Sequence, residues 1–206
     1  NGGSSMTGKI KLNAASGGGS VSLQAPSSSG NDRVYTVPDI GSDGTLATTA
    51  TAGKILKTKT ITKTNTYSNG SAGTHDVTGL SLTMDAPASA DSKYLVIAML
   101  TGTSANGHSN RFLLHGTTTG TLLQGDAAGN RARGISGELF QNNTNQAMTQ
   151  TLVVLDDPDT TATQTYKVQV VVRSGTGVYV NRSVSDGDAT NLLRSASTLT
   201  VMEVAA

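Results

Sequence analysis

The chain of 206 residues has no cysteine and no tryptophan, and only two phenylalanines and five tyrosines. Without cysteine there is no disulfide, no thiolate metal site and no cysteine nucleophile. Stability has to come from packing or from association of copies. The poverty in aromatics argues against a carbohydrate cleft, which needs stacking platforms beside its paired carboxylates. Charge is scarce too, at 14% of residues with a formal net charge of +1. Nucleic-acid binding needs a clustered basic face, and nothing here supplies one. No apolar run reaches the ~18 residues that a membrane-spanning helix requires. The longest, Lys93 to Leu100, is the length of a strand. The first residues, NGGSSMTG, lack the basic and apolar regions of a secretion signal. Asn1 is not an initiator, so the chain is either the end of a longer one or begins natively at Met6.

What is present is glycine, serine and threonine between short alternating runs. That composition, with 35% hydrophobic residues, belongs to an all-β, turn-rich protein. A first segment, residues 1–53, carries three short runs: KIKL (Lys9 to Leu12), SVSLQ (Ser20 to Gln24) and RVYTV (Arg33 to Val37). Strands of four or five residues cannot bury a core of their own, so this segment needs a partner. Pro26 and Pro38 close their runs because proline cannot donate to a ladder. SGGGS (Ser16 to Ser20) lacks the lysine and helix of a phosphate-binding loop and reads as a turn. TATAG (Thr49 to Gly53) reads as a linker.

Residues 54–206 carry longer strands. Expected are Ile55 to Tyr67, His75 to Met84, Lys93 to Leu100, Asn110 to Gly116 and Gly120 to Gln124. Ala132 to Phe140, Gln146 to Asp157, Thr165 to Arg173, Gly177 to Arg182 and Ser197 to Val204 complete the set. Lys93 to Leu100 is apolar on both faces and should be a central strand. Tyr166, Val168, Val170 and Val172 form one face of the clearest strand. They are expected inside, together with Leu95, Ile97, Leu199 and Val201. Ser174 to Gly177 reads as a hairpin connection to the next strand. Lys54, Lys57, Lys59 and Lys63 read as a solvated edge-strand face. No sustained 3.6-residue pattern occurs. The fold class is therefore all-β: an antiparallel β-sandwich, a jelly roll, preceded by a short-stranded N-terminal β segment.

Two stretches resemble known proteins. Ser20 to Thr48, SVSLQAPSSSGNDRVYTVPDIGSDGTLAT, is similar to repeat-like N-terminal segments of tail-fibre and appendage proteins of marine bacteriophages. The apolar KYLVIAML strand after an ADS turn, LDDPDTTATQTYKVQVVV, the Tyr-Val return and the terminal STLTVMEV resemble a tumour-necrosis-factor-type jelly-roll head as phages use it. The resemblance implies a virion protein and a homotrimer, with the C-terminal strand near the threefold axis. It also implies attachment to other virion proteins through the N-terminal segment, and to a host cell-surface glycan or protein through loops of the head. A capsid decoration or head fibre without receptor binding is the alternative, and a polysaccharide-degrading enzyme a further one.

Candidate chemistry is thin. His75, Asp76, His108 and His115 would need a serine to converge on them. Neither GxSxG nor HExxH occurs. Asp156, Asp157 and Asp159, and Asp186 with Asp188, could offer oxygen ligands to calcium, but their spacing is that of turns. No catalytic residue, metal site or cofactor is assigned. Receptor contacts are expected in the Asn- and Gly-rich connections, at Asn106, His108, Asn142, Asn143, Asn181, Arg182 and Asp186. Gln169 and Met202, polar or soft side chains on strand faces, are the expected trimer contacts.

Overall fold

The computed structural model describes residues 9–13, 20–24, 54–105, 110–139 and 143–206. The RVYTV run and the 49–53 linker fall outside them. The chain divides into two compact units, Asn1–Leu46 and Ala47–Ala206. In the first, β1 (Lys9–Asn13) and β2 (Ser20–Gln24) pair antiparallel, with Ile10 opposite Leu23 and Leu12 opposite Val21.

The second unit is an antiparallel sandwich. Its strands are β3 (Ile55–Lys63), β4 (Tyr67–Asn69), β5 (Gly73–Met84), β6 (Lys93–Ser104) and β7 (Arg111–Gly116). They continue with β8 (Gly120–Leu122), β9 (Met148–Asp156), β10 (Gln164–Val172), β11 (Val178–Val180) and β12 (Ser197–Val204). One sheet has the order β5-β10-β7-β8; the other runs β3-β12-β6-β11-β4, with β9 on the far side of β6. No α-helix occurs among the described residues.

Strict alternation sets β10 and β12. Tyr166, Val168, Val170 and Val172 are buried and meet Leu199 and Val201 from the facing sheet, as the sequence predicts. Val170 is fully buried in this cluster. Val170→Ala is expected to cost about 1–3 kcal/mol by lost burial and a residual cavity, read as a lowered midpoint in chemical denaturation.

β6 is central, paired with β12 and β9. Its phase, however, is the opposite of the expected one. Tyr94, Val96, Ala98 and Leu100 are the buried set, and Leu95 and Ile97 lie on the outer face. With both faces apolar, alternation carries no phase. The ladder decides it, because Ala98 stands opposite Leu199 and Val96 opposite Val201.

Other expectations also change. Ser174 to Gly177 is no hairpin: β10 pairs with β5 and β7, whereas β11 pairs with β4 and β6 in the other sheet. The connection crosses the sandwich because Val178 and Val180 have their own place in the core. Residues 132–139 form no strand; Gly134 and Gly137 interrupt the run, Leu139 is driven fully into the core and Ile135 packs partly buried against it. The long Thr-rich run breaks after Lys63 and resumes at Tyr67 as a separate short strand.

The lysines are the least expected result. Lys57, Lys59 and Lys63 stand opposite Glu203, Val201 and Ser197, all buried, so they occupy the inner side of β3. There they close the seam between the sheets. Lys57 Nζ donates to the Ala86 carbonyl at 2.6 Å, and Lys59 Nζ to the Thr83 carbonyl at 3.0 Å. Thr58, Thr60 and Thr62 take the outer side instead.

Glu203 is fully buried beneath this seam. It accepts from the Ala88 amide at 2.6 Å, and Lys57 Nζ lies 3.1 Å from its other oxygen. Burial pushes this carboxyl up, but the Ala88 amide, Lys57 and Ser92 outweigh it and hold it below its ordinary value of 4.5. A lowered folded-state value means stability that is fully present above the ordinary range and is lost as pH falls through the lowered one. The melting midpoint is expected to stay level from neutral pH down to about pH 5 and to fall below about pH 4. Glu203→Gln should flatten that acid limb; an unchanged limb would remove Glu203 from the account.

Candidate functional site

The strand directions give the sandwich two distinct ends. Lys54, Lys93, Asp156 and Val204 lie at one, since Lys93 pairs with Val204 and Tyr94 with Asp156. Lys63, Gly102, Met148 and Ser197 lie toward the other, where Met148 stands opposite Gly102 and Ser197 opposite Lys63. The chain joins the sandwich at Lys54, whose carbonyl accepts from Ala205 N. The connections after β6, before β9 and between β11 and β12 all issue from the opposite end.

Two of these connections touch. Ser185 N donates to the Thr144 carbonyl at 2.9 Å. Asn143 opens the first, exposed, with its Oδ1 accepting from Asn145 N at 2.9 Å in a side-chain-closed turn. Asn106, His108 and Asn142 lie outside the described residues. The base of the connection that holds Asn106 and His108 is fixed on both sides. Ala105 N donates to Gly177 O, and the buried Asn110 carboxamide reaches Ser104 Oγ, Thr176 Oγ1 and Arg173 N.

Asn181 is not a receptor contact. It is fully buried, and its backbone is left-handed at φ 61°. Its Nδ2 donates to the carbonyls of Lys63 at 2.8 Å and Asn65 at 3.1 Å, and its Oδ1 accepts from Ser197 Oγ at 2.6 Å. It ties β3, β11 and β12 together. Arg182 is half-buried. Its guanidinium lies 4.7 Å over the Tyr179 ring and donates to the carbonyls of Ser183 and Val184. Asp186 takes Arg182 at 2.9 Å and Arg194 at 2.5 Å. These bonds shape the loop. Beside them opens a cavity of ≈360 Å³ lined by Asp186, Asp188, Leu192 and Arg194, among others. It offers carboxylate acceptors and a guanidinium donor to a polar ligand. Sequence reasoning found the loop but took the buried Asn181 and the half-buried Arg182, which hold it in shape, for its exposed surface.

Among the described residues, His75 and His115 do not assemble with a nucleophile. His75 Nε2 lies 2.9 Å from the Ser71 carbonyl. Asp76 accepts from Lys167 Nζ and Gln169 Nε2, which hold its carboxyl below the ordinary range. Burial, then Lys167, pushes His115 down. Asp156 is buried and accepts from Tyr166 and Thr119, while Asp157 pairs with Lys93 at 2.8 Å. Among the described residues no group of three or more His, Cys, Asp or Glu is placed to hold a metal ion. Gln169 and Met202 lie on opposite outer faces of the sandwich, so one flat contact cannot include both.

No protein-family model and no curated protein matches the chain. Among solved structures it is similar to infectious bursal disease virus, Gx strain, at 16% identity and a TM-score of 0.41, covering 91% of this chain and 46% of that one. It is also similar to the infectious bursal disease virus VP2 subviral particle, at 16% identity and a TM-score of 0.39, covering 90% and 47%. The chain thus spans just under half the length of these proteins.

Proposed function

We propose that the chain is a structural protein of a bacteriophage virion. Its jelly-roll unit forms a homotrimeric head at the tip of a tail fibre or spike and attaches to the host surface, while the N-terminal segment joins other virion proteins. The N-terminal and head resemblances supply the virion context. The observation that carries the attachment role is the convergence of polar connections at the end of the sandwich opposite Lys54. An appendage must be held at one end and offer the other, and loops on a rigid sandwich vary without cost to its core. Among the described residues, Asn143 and Thr144 and the cavity beside Asp188 are exposed at that end. A glycan hydroxyl suits their acceptors and donors. Binding per head is weak and is raised by threefold presentation.

The test exchanges Asn143 to Asn145, and separately Asp188 with Ala189, in the intact phage. Arg182 and Asn181 are left alone because they hold the loop. Adsorption to host cells is expected to fall with an unchanged melt of the purified chain. Unchanged adsorption in both exchanges removes the attachment role and leaves a capsid decoration. Immunogold labelling of the particle separates the two positions directly.

A further inference from the structure

Six cationic side chains among the described residues meet a carboxylate: Lys57, Lys59, Lys93, Lys167, and Arg182 with Arg194 on the one Asp186. Arg111 and Arg133 are held differently. Each turns its Nε to a backbone carbonyl, Arg111 to that of Arg133 at 2.9 Å and Arg133 to that of Gly125 at 2.6 Å. Neither has a carboxylate at ion-pair distance among the described residues. Burial lowers the Arg111 guanidinium from its ordinary 12.5; Glu138 opposes this through space without cancelling it. The charge is fixed in place and left open.

The two carbonyls belong to one closed loop, residues 125–134. Gly125 N donates to Gly134 O, and Arg131 N to Ala128 O, each at 3.3 Å. The Arg111 stem crosses Gly134 so closely that a Cβ there would stand 3.1 Å from Arg111 Cδ. In an arginine anchored through Nε, the two Nη groups remain as a fork that takes a carboxylate or phosphate in parallel bonds. Here Nε is spent on the protein, while the Nη groups of Arg111 and of Arg133 have no partner among the described residues. Ordering them in advance lowers the entropy lost when a ligand binds. Arg131, exposed two residues before Arg133, adds a third guanidinium, also without a partner among the described residues. The cluster stands at the loop end of the sandwich. Arg111 opens β7 directly after Asn110, whose carboxamide holds Ser104 and Thr176 there.

We infer that Arg111, Arg133 and Arg131 form an oxyanion site whose ligand is an acidic polysaccharide, bound through its uronate carboxylates or its phosphodiesters. Guanidinium groups on separate stems suit an anion that recurs along a polymer. Nucleic acid, the other such polymer, is disfavoured on two counts. Unpaired strands are bound by stacking on aromatic side chains, and no tyrosine or phenylalanine among the described residues is exposed. Duplexes need a broad basic face, whereas Asp126 and Glu138 lie in the same stretch of chain as these arginines. The site rests on the attachment reading and names its ligand class.

The experiment measures binding of the full chain to polygalacturonate, a glycerol-phosphate teichoic acid, neutral dextran and a DNA duplex, with circular dichroism and a melt for each variant. Wild type is expected to bind an acidic polymer, to ignore dextran, and to lose binding as salt rises. The polymer that binds tells carboxylate from phosphate. Arg111→Gln combined with Arg133→Gln is expected to weaken binding at least about tenfold with the fold retained. Lys54→Gln, at the opposite end, should leave it unchanged. If the double variant unfolds, Arg131→Gln with Arg133→Gln replaces it, with the same expectation. A folded variant that binds like wild type overturns the site, as does a wild type that binds no acidic polymer. Dextran or DNA bound as tightly as the acidic polymer overturns the ligand class. Phage adsorption keeps the two readings apart. Adsorption that falls with the Asn143 exchange, in a chain that binds no acidic polymer, is the failure of this site alone. Polymer binding by a chain whose phage ignores every change at this end is the failure of attachment alone.

Discussion

Asn181→Ala is expected to be the most damaging single substitution outside the apolar core, lowering stability by about 3–5 kcal/mol. Three hydrogen bonds of its buried carboxamide disappear, leaving the Lys63 carbonyl without that donor. Each buried polar group stripped of a partner costs about 1–3 kcal/mol. Alanine must also hold the left-handed backbone at φ 61°, where a side chain costs about 1 kcal/mol more than glycine. The series separates the two causes. Asn181→Gly should recover about 1 kcal/mol of the loss through the backbone, and the remainder belongs to the hydrogen bonds. Asn181→Asp should be worse than alanine, because a carboxylate would then face two carbonyl oxygens. Urea midpoints measure all three. If glycine and wild type have equal midpoints, the carboxamide is not the joint described here.

Asp156→Ala ranks second, at about 3 kcal/mol. Asp156 ends β9 facing inward, where its Oδ2 accepts from Tyr166 OH at 2.7 Å and Thr119 Oγ1 at 3.1 Å. Burial, and then this bond, push the Tyr166 hydroxyl far above its ordinary titration range. The Tyr94 ring packs against Tyr166 at 5.4 Å, and burial pushes its hydroxyl up to about 12. Removing the carboxylate leaves a phenol without its acceptor in a dry place; Tyr166→Phe leaves the carboxylate with one donor fewer. Each single change therefore includes the cost of an abandoned partner. The double variant should be better than the sum of the singles by at least about 1 kcal/mol. Additive losses would mean that the two groups do not act as a pair.

Legibility in the sequence followed alternation. β10 and β12 have one polar and one apolar side, and their inner faces could be read residue by residue. β6 is apolar on both, so its place at the centre was readable and its phase was not. β3 misled for a physical reason. Lysine at alternate positions ordinarily signals a wet face, but a long stem and a mobile ammonium let it line the inner edge of a sheet and bond carbonyls across the seam. The crossing from β10 to β11 was invisible because a short Gly-containing link fits a hairpin equally well. At the loop end, composition pointed to the right segments. It could not separate Asn143, which is exposed, from Asn181, whose side chain replaces a missing strand partner. Asparagine at a left-handed position between a valine strand and a serine-rich loop was the available signal.

The inward turn of charge on β3, β12 and β9 also bears on how this sheet responds to salt. Interfaces sewn by surface ion pairs loosen as salt shortens the Debye length from about 10 Å at 0.1 M to about 3 Å at 1 M. The outer face of β6 and β9, made of leucine, isoleucine, valine, methionine and threonine, has almost nothing for salt to screen, and excluded anions such as sulfate strengthen apolar burial. Glu203, paired with Lys57, is fully buried on the inner side of the sheet, where mobile ions have poor access, whereas the Lys93–Asp157 pair at the rim is open to them. The stability of this sheet is expected to change little between dilute and concentrated salt.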